Sequence, residues 1–253
     1  MFDYAGKKVF ITGGTRGIGL AIATKMARSG ADIAINYLRN KKGAEDAVAA
    51  LKAASGKTPL LLKGNVAKDE DIAEMFGVLK EKWGGLNFLI SNAASGVLKP
   101  SAELTYHHWT WTLDINAYAL LALSRHAVPM MKGNGRIVAV SSLGATHAFN
   151  NYAAVGASKA ALESLVRHLC VEYAEHGINV NAVSASVVDT EALSHFPNRD
   201  IMIKDSLYWT PAKRLVEPED VADGVMIMCS DLTRMVHGQT FIIDGGLSIK
   251  LPG

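Results

Sequence analysis

The stretch Thr12-Gly13-Gly14-Thr15-Arg16-Gly17-Ile18-Gly19 decides the fold prediction. It follows a short apolar run, Lys8–Thr12, that is typical of a buried strand, and it opens a segment, Gly17–Ser29, with apolar residues at helical spacing. Glycines between a strand and a helix let the backbone approach a pyrophosphate, and the amino terminus of the helix attracts its charge. The stretch therefore predicts a dinucleotide-binding turn, with a plain tight turn as the alternative.

The rest of the chain alternates short β-rich runs with longer helical patterns, which is typical of a parallel sheet covered on both faces. We predict an α/β fold, a doubly wound Rossmann-like parallel sheet of seven strands, formed by a single domain over residues 1–253. The predicted strands are Lys8–Thr12, Asp32–Tyr37, Pro59–Asn65, Leu86–Asn92, Gly135–Ser141, Asn179–Ser184 and Thr240–Asp244.

The composition narrows the class of protein. Hydrophobic residues make up 49% and charged residues 20%, which excludes a disordered chain. A net charge of only +2 does not indicate a protein that binds nucleic acid or membranes through its overall charge. No run approaches the roughly 20 apolar residues of a membrane span, and the amino terminus shows no secretion signal. Cys170 and Cys229 are expected to be buried free thiols, and no histidine spacing suggests a metal. We expect a cytoplasmic protein without metal.

Two features predict surfaces that contact other molecules. Residues 189–217 form the one long region without clear periodicity, and such a connection is usually a lid or binding loop, so we predict a substrate lid there. In the helical stretches Tyr106–Met131 and Tyr152–His176, apolar residues cover more of the helix surface than the one stripe that would face the core. Ala160 and Leu165 are examples. Part of that surface is expected to meet another subunit.

The end of the second predicted strand, Asn36-Tyr37-Leu38-Arg39-Asn40, bears on the choice of nucleotide. An NAD-selective site places an acid there to hold the ribose 2′-hydroxyl, and this chain has none. Arg39, with help from Arg16, could instead bind a 2′-phosphate through charge-assisted hydrogen bonds. We therefore predict NADPH as the cofactor; the alternative is that Arg39, Lys41 and Lys42 form a solvated helix start.

Further motifs follow in order: Asn92-Ala93-Ala94, Asn116, Ser141-Ser142, Ser158-Lys159 and Asp244-Gly245-Gly246. With the glycine-rich turn, they make the chain resemble the short-chain dehydrogenase/reductase family over nearly its whole length. In that family a tyrosine precedes the active-site lysine with three residues between them, but position 155 here is Val155. The nearest tyrosine is Tyr152, with six residues before Lys159.

This wider spacing is similar to that of enoyl-acyl-carrier-protein reductases. The segment Ser141–Glu163 resembles theirs in its Ser-x-Leu-Gly-Ala opening, its Asn-Tyr pair, the glycine four residues after tyrosine and its Lys-Ala-x-Leu-Glu close. The unbroken glycine-rich turn is closer to ketoacyl-reductase-like members. The combination is similar to the NADPH-dependent third type of enoyl reductase.

The resemblance implies an activity. It implies NADPH-dependent reduction of the 2,3 double bond of trans-2-enoyl thioesters, carried on acyl-carrier protein or CoA, in fatty-acid or polyketide-like synthesis, by a homotetramer or homodimer. Two alternatives stay open: a 3-oxoacyl or other carbonyl reductase with a displaced tyrosine, and a non-catalytic NADPH-binding sensor.

The resemblance also implies residue roles. Tyr152 would donate to the enolate oxygen, and Lys159 would hold the nicotinamide ribose and favour the phenolate form of Tyr152. Ser142 would act chemically or only line the pocket, and Asn116 would anchor a water or be a satisfied buried amide. The implied cofactor-binding residues are Gly13, Thr15, Arg16, Gly17, Ile18, Gly19, Tyr37, Leu38, Arg39, Asn65, Val66, Asn92, Ala93, Ala94, Lys159, Val188 and Thr190.

The spacing has a physical reason if Tyr152 and Lys159 share one helix. Seven residues turn through ~700°, so the two side chains return to nearly one face, with the phenol one turn further from the lysine than usual. A carbonyl reductase must place its acid at the oxygen of the same carbon that accepts hydride. An enoyl reductase delivers hydride to the β-carbon while charge develops on an oxygen three atoms away, and a displaced phenol suits that geometry.

Overall fold

The computed structural model describes residues 2–190, 193 and 199–250, and its centre is one parallel sheet. The strand order is β3-β2-β1-β4-β5-β6-β7, so the predicted seven-stranded sheet is confirmed, with strand ends within two residues of the prediction. The strands are β1 (Lys8–Ile11), β2 (Asp32–Tyr37), β3 (Leu60–Lys63), β4 (Phe88–Ser91), β5 (Gly135–Ser142), β6 (Ile178–Ala185) and β7 (Thr240–Ile243).

Helices connect the strands. They are α1 (Gly17–Arg28), α2 (Lys41–Ser55), α3 (Asp69–Trp83), α4 (Tyr106–Leu113), α5 (Ala119–Ala127), α6 (Ala153–Tyr173), α7 (Arg199–Trp209) and α8 (Pro218–Cys229). The first long helical stretch is divided: a π-helical segment, Asp114–Tyr118, joins α4 to α5 and contains the buried Asn116. Such an insertion of π geometry is frequent near functional sites.

The core lies in two layers, one on each face of the sheet. Alternate side chains of β1 point to opposite faces, with Phe10 in one cluster and Val9 and Ile11 in the other. One layer packs the sheet against α3, α5 and α6, and the other packs it against α1, α2 and α8. The sheet is therefore doubly wound, as predicted. Cys170 and Cys229 are buried free thiols.

The topology opens a crevice at one edge of the sheet. β1 pairs with β2 on one side and with β4 on the other, so the connections leave β1 and β4 in opposite directions. Ligands of such sheets bind in the crevice beyond the carboxyl ends of the strands at this switch point. The loops that follow β1, β4 and β5 meet there.

The region 189–217 contains a helix that the sequence did not predict, α7. Ser206 is the one buried residue of α7, so the helix buries no apolar face. Its sequence therefore lacks the helical spacing of apolar residues by which the other helices were predicted. The two ends of the region meet, because Val188 pairs with Val216 and the Asp189 N–H donates to the Val216 carbonyl. Residues 191–192 and 194–198 lie outside the described part, and the lid role of the region stays a prediction.

Across the described residues, every helix is too short or too polar to cross a membrane. The same residues contain no group of three histidine, cysteine, aspartate or glutamate side chains that could hold a metal ion.

Candidate active site

The glycine-rich turn is tied to the loop after β4 by hydrogen bonds. The buried Thr12 hydroxyl accepts the N–H groups of Asn92 and Ala93, both at 3.0 Å. The Asn92 side chain donates in return to the carbonyls of Thr12 at 3.0 Å and Gly13 at 3.1 Å. Asn92 and Ala93 thus lie against the glycine-rich turn, and the Asn92 amide fixes the turn.

The turn itself fits the diphosphate of a dinucleotide. Gly13 has φ of 62°, a conformation that favours glycine, and a Cβ at Gly19 would overlap the Gly13 carbonyl oxygen. α1 begins after Arg16, whose side chain makes no capping hydrogen bond, and the first turn of α1 has no acid. The N–H groups and the positive end of the helix dipole therefore face the position of an anion without competition from a capping side chain.

Asn36 is a supporting residue that the sequence interpretation missed. Its side-chain oxygen accepts the Gly13 N–H at 3.2 Å, and its nitrogen donates to the Gly64 carbonyl at 2.9 Å. It links the glycine-rich turn to the loop after β3, where Asn65 and the buried Val66 stand. A polar residue inside the otherwise apolar β2 is the signal that could have identified it.

The end of β2 carries no carboxylate. Tyr37 is half-buried, and Leu38, Arg39 and Asn40 are exposed. Asn40 is engaged as the cap of α2, where its side chain accepts the Gly43 N–H at 2.9 Å. Arg39 therefore lies exposed just beyond the end of β2, and the segment Asn36–Asn40 around it contains no acid.

The remaining predicted cofactor residues surround this crevice. Thr190 lies over the start of α1, with its methyl group 3.5 Å from where a Cβ of Gly17 would stand. Val188 is half-buried at the base of the 189–217 region. Thr15 and Ile18 are half-buried, whereas Ala94 is exposed on the loop after β4.

Tyr152 and Ser142 come together at the end of β5. The Tyr152 hydroxyl donates to Ser142 Oγ at 3.3 Å, and Ser142 also accepts the Gly144 N–H at 3.2 Å. Tyr152 is the N-cap of α6, with φ of −111°, so it precedes the regular helix. Its carbonyl accepts the Gly156 N–H at 2.7 Å, so Tyr152 opens the first turn of α6, and Lys159 follows on the same helix.

Two glycines and one aromatic ring hold the Tyr152 ring. A Cβ at Gly144 would overlap the Cε1 and Cδ1 atoms of Tyr152. A Cβ at Gly156 would lie 2.7 Å from the Gly144 carbonyl, so both glycines allow α6 and the turn Leu143–Ala145 to approach closely. Phe149 packs edge-on against Tyr152 with 5.8 Å between ring centroids. The ring orientation is thus fixed by its neighbours.

Lys159 is buried beside β5. Its ammonium donates to the Val140 carbonyl at 2.7 Å. Burial lowers the pKa of Lys159 to about 8, and the carboxylate of Glu163 acts in the opposite direction. Burial raises the pKa of the Tyr152 phenol, an effect that the Ser142 hydrogen bond partly opposes. This direction is opposite to the phenolate character expected from Lys159, because desolvation penalises the charged form of Tyr152.

Asn116 makes protein hydrogen bonds with both ends of its amide. Its oxygen accepts the Ser95 N–H at 3.0 Å, and its nitrogen donates to the Ser95 carbonyl and to Ser158 Oγ, both at 2.8 Å. Ser158 in turn donates to the Val155 carbonyl at 2.7 Å. These contacts correspond to the alternative of a satisfied buried amide, which braces α6 against the loop after β4.

Val155 occupies the position of the tyrosine in the usual spacing. It is buried, and its Cγ2 atom fills the space where a side chain at Gly96 would begin. The Thr112 methyl group lies on the same side. The usual tyrosine position is thus filled by apolar packing against the loop after β4.

The chain matches a family model described as Enoyl-(Acyl carrier protein) reductase over residues 13–248. It is 36% identical to 1-cyclohexenylcarbonyl-CoA reductase of Streptomyces collinus, over 96% of this chain and 87% of that protein. It is 34% identical to Enoyl-[acyl-carrier-protein] reductase [NADH] FabI of Aquifex aeolicus (strain VF5), over 96% and 92% of the two chains.

Solved structures of related proteins have the same fold as this chain. The crystal structure of the Aquifex aeolicus VF5 enoyl-[acyl-carrier-protein] reductase (NADH) superposes with a TM-score of 0.89 at 32% identity, covering 97% of this chain and 98% of that one. A short-chain dehydrogenase/reductase, glucose/ribitol dehydrogenase, of Brucella melitensis gives 0.91 at 29% identity, covering 97% and 98%. The chain therefore belongs to the enoyl-(acyl carrier protein) reductase family of short-chain dehydrogenases/reductases and is an oxidoreductase whose Rossmann-like fold binds a nicotinamide cofactor.

Proposed function

We propose that this protein reduces the 2,3 double bond of trans-2-enoyl thioesters with NADPH. The observation that carries the proposal is the position of the phenol: Tyr152 lies before α6, bonded to Ser142, while Val155 fills the usual tyrosine position with apolar packing. The relatives support the substrate class. The substrate named for the Streptomyces collinus protein is itself a thioester with a conjugated carbon–carbon double bond.

The residues suit this reaction in distinct ways. A reduced nicotinamide, when bound, would supply hydride to the β-carbon, which would leave negative charge on the thioester oxygen. We assign Tyr152 to donate its hydroxyl proton to that oxygen, a role that suits a phenol whose pKa is raised and which is therefore protonated at neutral pH. The enol then becomes the saturated thioester when its α-carbon takes a proton from water and its hydroxyl proton returns to Tyr152. Ser142 orients the Tyr152 hydroxyl, and Lys159 binds the nicotinamide ribose.

The crevice gives the other cofactor contacts. In the proposed complex the turn Thr12–Gly19 and Thr190 hold the diphosphate, and Val188 contacts the carboxamide. Asn65 and Val66 flank the adenine, and Asn92, Ala93 and Ala94 pass beside the nicotinamide ribose. Tyr37, Leu38 and Arg39 surround the adenosine ribose.

NADPH is the proposed cofactor because the end of β2 offers Arg39 and no acid, even though the Aquifex relative is named an NADH enzyme. Replacing Arg39 by alanine is expected to raise the KM for NADPH about tenfold or more, since one charge-assisted hydrogen bond is lost, and to leave the KM for NADH unchanged. Steady-state kinetics with both cofactors measure this. The matched control is Lys42→Ala, which removes a nearby exposed cation on α2. Equal effects of the two variants would reduce Arg39 to a solvated surface group.

The substrate class is tested by comparing two thioesters. With NADPH in excess, crotonyl thioester is expected to cause cofactor oxidation, and acetoacetyl thioester little or none. Cofactor absorbance measures both rates, and each acyl group is presented on CoA and on acyl-carrier protein. Preference for acetoacetyl thioester would instead identify a carbonyl reductase. NADPH binding without turnover of either would identify a sensor.

We also propose that the protein assembles as a homotetramer or homodimer. β7 is an edge strand of the sheet, and it exposes Phe241 and Ile242 to 38% and 49%. Ala160 and Val171 of α6 are exposed as well. Exposed apolar side chains on an edge strand favour burial against another chain.

A further inference from the structure

Glu163 is a buried carboxylate for which the proposed reaction has no role. It is 8% exposed and lies on α6, four residues after Lys159. Residues four apart on a helix lie on the same face, so Glu163 follows Lys159 by one turn along the inner wall of the site. Buried carboxylates are rare unless a partner stabilises them.

The partner is the carboxyl end of β5. Ser141 Oγ donates to Glu163 Oε1 at 2.6 Å, and Ser141 is itself buried. The preceding residue, Val140, accepts the Lys159 ammonium. Lys159 and Glu163 are therefore anchored to successive residues of β5, and the next residue along the strand, Ser142, accepts the Tyr152 hydroxyl.

Few other charges lie near this pair. On α6 itself, Arg167 stands four residues after Glu163 and is exposed, as are His168 and, beyond the end of α6, Glu175 and His176. β6 and the turn Leu143–Ala145 hold no ionisable side chain, and Arg136, at the opposite end of β5, pairs with Asp231. The titratable group on the crevice side is Tyr152. The ionisable groups of α4, the π-helical segment and α5 are exposed or engaged elsewhere: Tyr106, His107, His108, Asp114, Tyr118, Arg125 and His126.

We propose that Glu163 is a positioning residue that keeps the buried Lys159 side chain charged and anchored to the end of β5, ready to bind the nicotinamide ribose. The inference rests on the proposed role of Lys159 in cofactor binding. Burial alone lowers the pKa of Lys159, and the Glu163 carboxylate is the charge that opposes this effect. Without the carboxylate, the ammonium would lose its proton at a lower pH.

The test is the pH dependence of cofactor binding, measured by the fluorescence of NADPH and, in parallel, NADH. In the wild-type protein the affinity is expected to fall as the pH rises through the pKa of Lys159, because the charged form binds. In Glu163→Gln this fall is expected about one pH unit or more lower. The amide oxygen can still accept the Ser141 hydroxyl, so the packing is retained.

Two controls separate charge from structure. Glu163→Asp keeps a carboxylate and is expected to restore the wild-type pH curve. Ser141→Ala removes the hydrogen bond but keeps the carboxyl, and its curve is expected to stay close to the wild type. If Glu163→Gln fails to fold, the double variant Ser141→Ala/Glu163→Met replaces the pair by apolar groups and carries the same expectation of a lowered pH midpoint.

The outcomes are distinct. Identical curves for the wild type and Glu163→Gln, or equal shifts in Glu163→Gln and Ser141→Ala, would overturn the charge role. Binding requires no substrate, so a protein that leaves crotonyl thioester unreduced would refute the proposed reaction without touching this result. Conversely, an unchanged pH curve with full crotonyl reduction would refute the role of Glu163 alone.

Discussion

Tyr152→Phe is expected to lower kcat for crotonyl-thioester reduction about a hundredfold or more. The variant keeps the ring between Gly144 and Phe149 but removes the hydroxyl that bonds to Ser142, and with it the donor to the enolate oxygen. A positioned acid typically contributes 10²–10⁴-fold, which sets this magnitude. Steady-state kinetics with saturating NADPH measure the loss.

The affinity for NADPH should stay unchanged in this variant, since the phenol is assigned to the substrate. The matched control is Tyr106→Phe, which removes the hydroxyl of a tyrosine that is 83% exposed on α4. Its turnover is expected to equal that of the wild type. If Tyr152→Phe also kept most of its activity, the donor would have to be another group, and Ser142 would be the first to examine.

Gly144→Ala is expected to lower kcat about tenfold to a hundredfold while NADPH affinity is retained. The added methyl group would overlap the Tyr152 ring, and displacement of a catalytic group by about 1 Å can cost a hundredfold in rate. Gly144 does not have a positive φ, so its backbone conformation is open to alanine without strain. The effect should come from the ring alone.

A double-mutant cycle tests that origin. In the Tyr152→Phe background, Gly144→Ala is expected to add little further loss, because the hydroxyl that it displaces is already gone. Gly77→Ala is the matched control, since a Cβ at Gly77 on α3 meets nothing within 4 Å. Additive losses in the cycle would show that Gly144 acts through the general packing of the site, and thermal unfolding would then report a loss of stability.

The sequence was sufficient to predict the sheet. Hydrophobic runs of strand length alternate with helical periods along the whole chain, and both are local signals. The glycine-rich turn could be predicted equally well, because a turn that requires glycine is visible directly in the sequence. The order of the strands was not predicted, because local patterns do not determine which strands pair.

The residues that position the site could not be predicted from the sequence in the same way. Asn36, Gly144 and Glu163 act through partners 8 to 28 residues away in sequence, among them Tyr152 and Ser141. Such contacts exist only once strands and helices have packed. The spacing of four residues places Glu163 on the same face as Lys159, but no spacing in the sequence links it to Ser141. The start of α6 was predicted to within one residue: the helical stretch was expected from Tyr152, and Tyr152 is the N-cap of a helix that begins at Ala153.

The pairing of Val188 with Val216 has a consequence for how this fold can diversify. It joins the two ends of the 189–217 region at a single point beside the sheet, so the chain between them leaves and re-enters the scaffold at one place. The entropy of closing such an excursion grows only slowly with its length. We therefore expect that the segment between Val188 and Val216 can change in length and sequence while the sheet and the hydrogen bond between Tyr152 and Ser142 stay as they are.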